Sequence, residues 1–396
     1  MTFAPHHRLY ACFFLFATIT GAMYSRLPDI QSALGVNEAQ LGLTLIGGAI
    51  GSLISLTFSS PVIERAGARL TCLVTLIGST LFYSSVPFIH SAPLAFAALF
   101  CAGFLSGAME INLNVELGRL EAQYKRAIMS RAHGFWSLGF FVTSLVAAGV
   151  RQAAIPATWH LGVAFVLVVI ATLVFVTGMT NAPKAPGEDQ DKAPRIAFPN
   201  AALVPLCLIG IAAFLVEGAG VDWSTIYMRD VFATEPFIGG LALTAFTFVM
   251  ALARLYIGPV VDAYGPRRVT AVLLALCIVG LVAVWLAPSP VVAVIGFALM
   301  GGGCSAVYPL AVSAAAQRTD RPSSVNVAAV GQITFVIFFL APPLLGFVAH
   351  AVGIRWSYVI CLPLVILAIL MVKALPARAK PPQPGQIVPE PLSPNG

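Results

Sequence analysis

Two ten-residue stretches decide the fold of this chain: SPVIERAGAR at residues 60–69 and GPVVDAYGPR at residues 258–267. Proline, valine, an acidic residue, glycine and arginine occupy matching positions, and the copies lie 198 residues apart in a chain of 396. An offset of half the chain length indicates two copies of one structural unit. Each copy lies between two long apolar segments, so we expect the unit to be built from membrane-spanning helices.

The composition excludes the soluble classes of protein. Hydrophobic residues make up 59% of the chain and charged residues 10%, and the mean hydropathy is +0.90. Soluble domains average about 45–50% apolar and about 25% charged residues. The apolar runs are continuous, which favours helices over a membrane β-barrel. We expect an all-α membrane protein with twelve spans, numbered 1 to 12 in chain order, near residues 9–25, 39–60, 70–89, 92–117, 130–151, 158–180, 201–225, 237–259, 268–287, 290–314, 326–349 and 355–374.

A polar, proline-rich stretch separates these spans into two groups of six. We expect an N-terminal six-helix bundle over residues 1–180, a flexible linker over 181–200, a C-terminal six-helix bundle over 201–375 and a disordered proline-rich tail over 376–396. Of the 22 Lys and Arg residues, 17 fall on the side of the termini, four on the opposite side and one, Arg254, within a span. The positive-inside rule therefore predicts that both termini lie in the cytoplasm.

The sequence contains no motif of catalysis or metal binding. The seven cysteines are scattered singly without a CxxC pair, so we expect neither a disulfide framework nor a zinc site. No phosphate-binding GxxxxGK[ST] loop, HExxH motif or nucleophile elbow occurs. The basic residues are dispersed between apolar runs, which argues against nucleic acid as a partner. We expect no enzyme activity, no metal and no cofactor, and the expected partners are a small-molecule solute and the lipid bilayer.

With twelve spans, a central linker and two copies of a G-x-x-x-D-R-x-G-x-R loop, the chain resembles the major facilitator superfamily. The resemblance covers all but the tail. The first copy differs from the family pattern at Ser60 and Glu64, and the second at Ala263. The resemblance implies two pseudo-symmetric six-helix bundles, secondary transport by rocker-switch alternating access, and a functional monomer driven by a proton gradient without a cofactor.

Four further patches resemble one branch of that family, the YbjJ/MosC-like permeases, which are more distantly related to fucose permease. They are RLPDI from Arg26, GAMEINLN from Gly107, HGFWSLG from His133 and EGAGVDWS from Glu217. The resemblance implies a small polar solute, similar to a sugar or a polyol.

Ionisable groups inside a bilayer are the best indication of a site, because each costs about 2.5–3.5 kcal/mol at the centre of a helix. Glu110 lies in a run of small residues in span 4, and Asn114 follows one turn later on the same face. His133 lies at a similar depth in span 5. At the repeat offset, Glu110 corresponds to Tyr308 and His133 falls beside Gln332.

These five residues are the predicted substrate and proton-coupling residues of the central cavity, together with Glu217. In the family, spans 1, 4, 7 and 10 line the cavity, and fucose permease carries a proton-linked acid in span 4. The resemblance therefore implies that Glu110 takes up and releases the coupled proton. The alternative is a structural role, as a hydrogen-bonded carboxylate for Glu110 and as packing for His133, Tyr308 and Gln332.

Span 7 carries two acidic residues in its outer half. Glu217 and Asp222 are five residues apart and so do not share a helix face. We expect the deeper one, Glu217, to face the cavity. Asp222, Trp223 and Tyr24 of span 1 are predicted to form an outer gate, with anchoring at the membrane interface as the alternative.

The duplicated loop supplies a predicted cytoplasmic gating motif. Carboxylates and bases at the helix ends would pair across the cytoplasmic gap and release it on rearrangement, with simple anchoring and capping as the alternative. Arg254 is one turn before Gly258 and is expected to point toward Asp262. The full set is Glu64, Arg65, Gly67, Arg69, Arg254, Gly258, Asp262, Gly265 and Arg267.

Together these observations predict a secondary transporter of a small polar, sugar- or polyol-like solute in a bacterial inner membrane, coupled to protons. Two alternatives remain open. One is a proton-antiporting exporter of drugs or metabolites. The other is a membrane receptor on the same scaffold that does not transport.

Overall fold

The structure is a computed structural model, and it describes residues 3–124, 128–183 and 197–378. Most of the predicted linker (residues 184–196) and of the predicted tail (379–396) lies outside these ranges, so the two predictions stay open. Within the described residues, the spans are Pro5–Ser25, Glu38–Phe58, Ser60–Ser85, Ala92–Tyr124, Met129–Gln152, Ala157–Val176, Val204–Phe232, Pro236–Tyr264, Pro266–Leu286, Pro290–Cys304 continued by Val307–Ala316, Ser323–Val352, and Ile354–Val359 continued by Leu362–Met371. We keep the span numbers 1 to 12 for them.

The predicted all-helical membrane fold is confirmed. In the described part of the chain, eleven helical segments are long and apolar enough to cross a membrane. Span 1 has 21 residues but is less apolar, because its first turn carries His6, His7 and Arg8. It nevertheless packs among the spans of its half, against spans 5 and 6.

Local sequence explains where the helices begin and bend. Proline occupies the first turn of seven of the spans, where its missing N–H costs nothing. Span 2 begins with a capping box, in which the Gln40 N–H donates to Asn37 Oδ1 (2.9 Å) and the Asn37 N–H donates to Gln40 Oε1 (3.1 Å). Gly67 has φ +74° and breaks the helix Ser60–Ser85, so the membrane part of span 3 starts after it.

Span 10 is broken between Cys304 and Val307. Pro309 explains the break, because a proline ring clashes with the carbonyl four residues earlier and leaves it without an intrahelical donor. That carbonyl belongs to Ser305, which lies inside the break. Pro309 therefore divides the span into two helices.

The two halves of the molecule meet most closely at one end. We call the side that carries both chain ends the proximal side and the opposite side the distal side. Spans 2 and 11 pack together, as do spans 5 and 8. At their distal ends, Gly42 lies on the backbone of Pro342, Gly346 lies on the backbone of Glu38, and Gly240 lies against Ala148. A side chain at any of the three glycines would clash with the neighbouring span, so the distal side is closed.

A short helix, Leu27–Leu34, joins spans 1 and 2 on the distal side, and we call it the connecting helix. It ends at Gly35, which has φ +62°. This helix was absent from the predicted spans because its eight residues are too few to cross a membrane.

Candidate functional site

The three residues of the predicted outer gate lie in the distal contact between the halves. Trp223 is fully buried, and its ring touches Gly346 of span 11. Asp222 is 6% exposed. Tyr24 of span 1 lies close enough to the Asp222 carboxyl for electrostatic interaction. The structure thus brings all three together, at the place where the N-terminal half meets span 7.

Polar contacts that the sequence did not predict hold the distal side. Arg229 of span 7 donates to Gln31 Oε1 (2.7 Å) and to the Pro28 carbonyl (3.3 Å) of the connecting helix. Gln152 donates from Nε2 to Glu235 Oε2 (3.0 Å), and its Oε1 accepts from the Phe237 N–H (3.1 Å). These bonds join the N-terminal half to the C-terminal half.

Arg26 organises the distal side of the N-terminal half. It is 3% exposed and donates to Asp29 (2.8 Å), to the Ile155 carbonyl (2.9 Å) and to His160 Nδ1 (3.1 Å). Asp29 also accepts from Arg151 (3.0 Å). Desolvation by burial lowers the pKa of Arg26 from its usual value, and the Asp29 carboxylate opposes that shift. The RLPDI patch therefore carries a buried ion cluster that ties spans 1, 5 and 6 together.

Glu110 is the carboxyl group of the N-terminal half that faces the middle of the molecule. It is half-buried, and among the described residues no cation pairs with it and no donor hydrogen-bonds it. It lies close enough to the Tyr308 phenol, in the other half, for electrostatic interaction. Asn114, one turn away, is half-buried as well. The predicted opposition of Glu110 and Tyr308 across the two halves is present in the structure.

Tyr308 belongs to a group of three aromatic rings in the C-terminal half. Its ring centroid lies 4.5 Å from that of Phe214, and Phe214 lies 5.3 Å from Phe335. The backbone at Gly331 leaves room for the Tyr308 hydroxyl. Tyr308 is the second residue of the helix that follows the break in span 10.

Arg254 corrects one sequence prediction. Instead of pointing toward Asp262, its guanidinium pairs with Glu217 of span 7 (3.3 Å) and donates from Nε to the Ser305 carbonyl (3.0 Å). That carbonyl is the one released by Pro309, and a cation is a suitable donor for a carbonyl left without a helical partner. Arg254 therefore joins spans 7, 8 and 10.

Glu217 and its surroundings form a small pocket between spans 5, 7 and 8. The pocket is lined by Trp136, Ser137, Phe140, Glu217, Val221, Thr247 and Met250. Two hydroxyls, an indole and a carboxylate offer hydrogen-bonding groups and a flat apolar surface in one place. Trp136, which belongs to the HGFWSLG patch, is thus placed on the pocket wall.

His133 and Gln332, two more of the predicted solute and proton-coupling residues, have contacts of their own. The His133 ring lies 5.0 Å from the Phe13 ring, and His133 is close enough to Arg254 for electrostatic interaction. Gln332 Oε1 accepts from the Ala197 N–H (2.8 Å), so its carbonyl oxygen is occupied by the chain segment that precedes span 7. Both predictions of a solute or proton role remain untested.

The N-terminal copy of the duplicated loop is held by side chains of span 4 and by the end of span 6. The Ala68 N–H donates to Asn181 Oδ1 (2.8 Å), and Asn112 Nδ2 donates to the Ala68 carbonyl (3.3 Å). Glu116, 4% exposed at its side chain, accepts from the Ala182 N–H (2.7 Å) and from Arg119 (2.8 Å). Asn112 and Glu116 were not predicted, because their partners lie far away in the sequence.

The C-terminal copy is held differently. The Arg267 N–H donates to the Pro376 carbonyl (3.2 Å), and the Arg267 side chain donates to the carbonyls of Lys373 and Leu375 (3.0 Å each). Gly265 has φ +82° and lies on the backbone of Ala377. In the part of the chain that the structure describes, no neighbouring group lies within 4 Å of where a side chain at Gly258 would begin.

The charged groups predicted to pair across the gap are solvent-facing in this state. Glu64, Arg65, Arg69 and Asp262 are exposed, and within the described ranges no ion pair joins the two copies of the loop.

Comparison with known proteins identifies relatives of the whole chain. The family model of the Major Facilitator Superfamily matches residues 9–235 and 205–394. The uncharacterized transporter y4wD of Sinorhizobium fredii is 28% identical over 90% of this chain and 94% of its own length. The membrane protein MosC of Rhizobium meliloti is 26% identical over 86% of this chain and 83% of its own length.

Solved structures show the same fold. The nucleoside transporter NupG matches with a TM-score of 0.71 and 14% identity, over 94% of this chain and 99% of that one. The E. coli fucose:proton symporter FucP matches with a TM-score of 0.63 and 16% identity, over 93% of this chain and 98% of that one. At these identities the likeness concerns the arrangement of helices alone.

Proposed function

The chain belongs to the Major Facilitator Superfamily, and on that premise we propose that it takes up a small polar, sugar- or polyol-like solute together with protons. Membership makes it a multi-pass integral membrane protein and a secondary transporter of a small molecule rather than an enzyme. Its relatives are bacterial proteins, which supports the bacterial plasma membrane as its location.

The observation that carries the proposal is the contrast between two carboxyl groups of the central region. Glu217 has a cationic partner, Arg254, at 3.3 Å, whereas Glu110 has none among the described residues. An ionised carboxylate without a partner is very costly away from water, so Glu110 is the group that must bind a proton when the cavity closes. When the cavity opens to water, the proton can leave. Glu110 thus has the chemistry of the coupling residue.

The groups around Glu110 suit a hydroxylated ring. Glu110 and Asn114 offer oxygen acceptors and an amide donor, Tyr308 offers a hydroxyl, and Phe214 and Tyr308 offer flat apolar surfaces. A site for a polar solute combines a few placed hydrogen-bonding groups with aromatic walls. The fucose:proton symporter and the D-xylose-proton symporter share this fold, which supports the same class of solute here.

For the transport cycle, we assign residues 1–180 and 201–375 to the two moving bundles and residues 181–200 to the linker between them. The Lys and Arg distribution places the proximal side in the cytoplasm. The closed distal side then makes this the state with its outer side shut. Opening outward requires that Gly42, Gly240 and Gly346 separate from the opposite half and that Arg229 leaves Gln31. Charges of the duplicated loops would pair across the proximal gap in that outward-open state.

A thermal-shift screen of the purified protein against L-fucose, D-xylose, myo-inositol and an apolar cation tests the solute class. A ligand at 100 times its dissociation constant stabilises the folded state by about 2.7 kcal/mol, which is a measurable shift. We expect a sugar or polyol to raise the unfolding temperature and Tyr308→Ala to weaken that effect. A shift with the apolar cation alone would favour the exporter instead.

Proteoliposomes test the proton coupling. With a proton gradient imposed, we expect Glu110→Gln to lose accumulation of the identified sugar while retaining its exchange across the membrane. Glu217→Gln is the matched control, because it neutralises the paired carboxylate of the same region. Uphill accumulation by Glu110→Gln at the wild-type level would rule out the coupling role, and saturable binding without flux in the wild type would indicate a receptor.

A further inference from the structure

Asp222 is a second carboxyl group without a cationic partner. Its side chain lies in the distal part of span 7 and is 6% exposed. Among the described residues, no ion pair and no hydrogen bond to its carboxyl group is found. The titratable groups that face it are Tyr24 of span 1, Tyr358 of span 12 and Glu217 of its own span. Each of these is neutral or negative, so none can compensate a charge on Asp222.

The position of Asp222 makes its burial depend on the state of the transporter. Its neighbour Trp223 lies against Gly346, and the backbone of Gly346 lies against that of Glu38 in the other half. Tyr24, which also belongs to the other half, lies close enough to the carboxyl group and to Tyr83 for electrostatic interaction. When the halves separate at the distal side, Tyr24 and span 2 move away, and water reaches the Asp222 carboxyl group.

The physical consequence is a link between protonation and closure. Moving an ionised carboxylate out of water without a counter-charge or a donor is strongly unfavourable, whereas a neutral carboxyl group costs far less. Closing the distal side over a charged Asp222 is therefore disfavoured. The negative charge of Glu217, on the same helix, adds to the repulsion.

We propose that Asp222 is the proton sensor of the distal gate: the distal side closes when its carboxyl group has taken a proton from the distal solution, and reopening returns that proton to the same side. No proton crosses the membrane through this residue. Its role is therefore distinct from that of Glu110, which under the proposed function carries the transported proton. Acidity on the distal side would favour the closed gate and so commit a loaded transporter to release on the proximal side.

Hydrogen–deuterium exchange of the purified full-length protein tests this proposal, because it reports gate closure without requiring transport. The reporter peptides cover the connecting helix Leu27–Leu34, whose Gln31 accepts from Arg229, and residues 232–237, where the Phe237 N–H donates to Gln152. After correction for the intrinsic pH dependence of exchange, we expect the wild type to exchange several-fold faster at pH 8 than at pH 6. Asp222→Asn, a neutral side chain of the same shape, should exchange slowly at both values.

Three variants keep the test interpretable. Glu217→Gln, which removes the other carboxylate of span 7, should retain the pH dependence. His350→Gln, which removes a histidine 3.7 Å from Glu38 on the distal surface, should retain it too. Asp222→Glu should restore the dependence that Asp222→Asn loses. A wild-type pH response in Asp222→Asn, or its loss in His350→Gln, would overturn the proposal.

This inference and the proposed function can fail separately. Wild-type accumulation by Glu110→Gln would overturn proton coupling through Glu110 and leave the exchange result on Asp222 standing. Conversely, an unchanged exchange profile in Asp222→Asn would remove the gate sensor and leave coupling through Glu110 intact.

Discussion

The two copies of the duplicated loop adopt the same turn and are held by different groups. Gly67 and Gly265 both have positive φ, at +74° and +82°, and both turns lie against the segment that follows the sixth span of their own half. The first copy is bonded to Asn181 and Asn112, and Glu116 holds the Ala182 N–H next to Asn181. In the second copy the bonds run from Arg267 to backbone carbonyls. The repeat thus determines the backbone path of the turn, whereas the residues that anchor the turn differ between the two halves.

The difference has a physical cause in the spans that lie behind each loop. At the repeat offset, Asn112 and Glu116 correspond to Leu310 and Ala314 of span 10. The side chains of these two residues have no hydrogen-bond donor or acceptor. The C-terminal copy therefore has to use its own arginine, which reaches the carbonyls that end the helix of span 12. Cations near a helix C-terminus are favoured by its unpaired carbonyls and dipole. In both copies the turn is therefore fixed to its own half.

The largest expected effect comes from the buried anchor of the N-terminal copy. Glu116→Ala removes a pair in which the side chains of Arg119 and Glu116 are 14% and 4% exposed, and it leaves the Ala182 N–H without its acceptor. Breaking a buried pair from one side costs about 3–5 kcal/mol. We expect a clear fall in the unfolding temperature in detergent. Glu64→Ala, which removes an exposed carboxylate from the same loop, should change the unfolding temperature little. An equal fall in both variants would show that the buried pair of Glu116 does not stabilise the protein more than an exposed carboxylate does.

A smaller effect is expected from the arginines at the last position of each copy. Arg267→Lys should lose the two side-chain bonds of 3.0 Å, because an ammonium group cannot reproduce the geometry of the guanidinium. We expect the free energy of unfolding to fall by about 1–2 kcal/mol. The loss stays this small because the two bonds, although made by a charged donor, are partly exposed to solvent. Arg69→Lys is the matched change in the exposed partner and should stay within about 0.5 kcal/mol. Comparable losses at both positions would mean that the copies are anchored alike.

The contrast between the copies also shows what could be predicted from the sequence. Twelve spans, the positions of the two turns and the bend at Pro309 follow from local patterns: long apolar runs, glycine and proline. The partner of Arg254 does not. Asp262 is near along the helix and was predicted, but Glu217, 37 residues away on another helix, is the partner in the structure. No periodicity within one helix reveals which side chain of a neighbouring helix lies opposite.

The same limit applies to the candidate site. The opposition of Glu110 and Tyr308 was predictable, because the repeat offset relates positions in two equivalent helices. Asn112, Glu116 and Arg229 were missed and the partners of Arg26 were not predicted, because each of these side chains bonds to a backbone group or a side chain of a distant segment. Their residue types did carry a signal. A buried arginine or glutamate beside a membrane span needs a partner, even when the sequence does not say which one.

The proximal ends of spans 4 and 10 form a second pair of equivalent regions and give the smallest expected effect. Glu121 and Asp320 lie 199 residues apart in the sequence. Glu121 accepts from the N–H groups of Ile128 and Met129 (2.7 and 2.8 Å) at the start of span 5. Asp320 instead accepts from Asn200 (2.8 Å) and Arg318 (3.0 Å), so it fixes the segment before span 7.

The pKa of Asp320 makes this last difference measurable. The hydrogen bond from Asn200, and then that from Arg318, lower the pKa of its carboxyl group to about 2, below the usual value of about 3.9. The stabilisation by the carboxylate is therefore fully present above about pH 4 and is lost as the pH falls toward 2. We expect Asp320→Asn to lower the unfolding temperature slightly at pH 5, and the difference from the wild type to shrink toward pH 2.5 and in high salt, because the group is exposed. A difference that stays constant over this range would show that the charge of Asp320 is irrelevant and that its bond to Asn200 acts through shape alone.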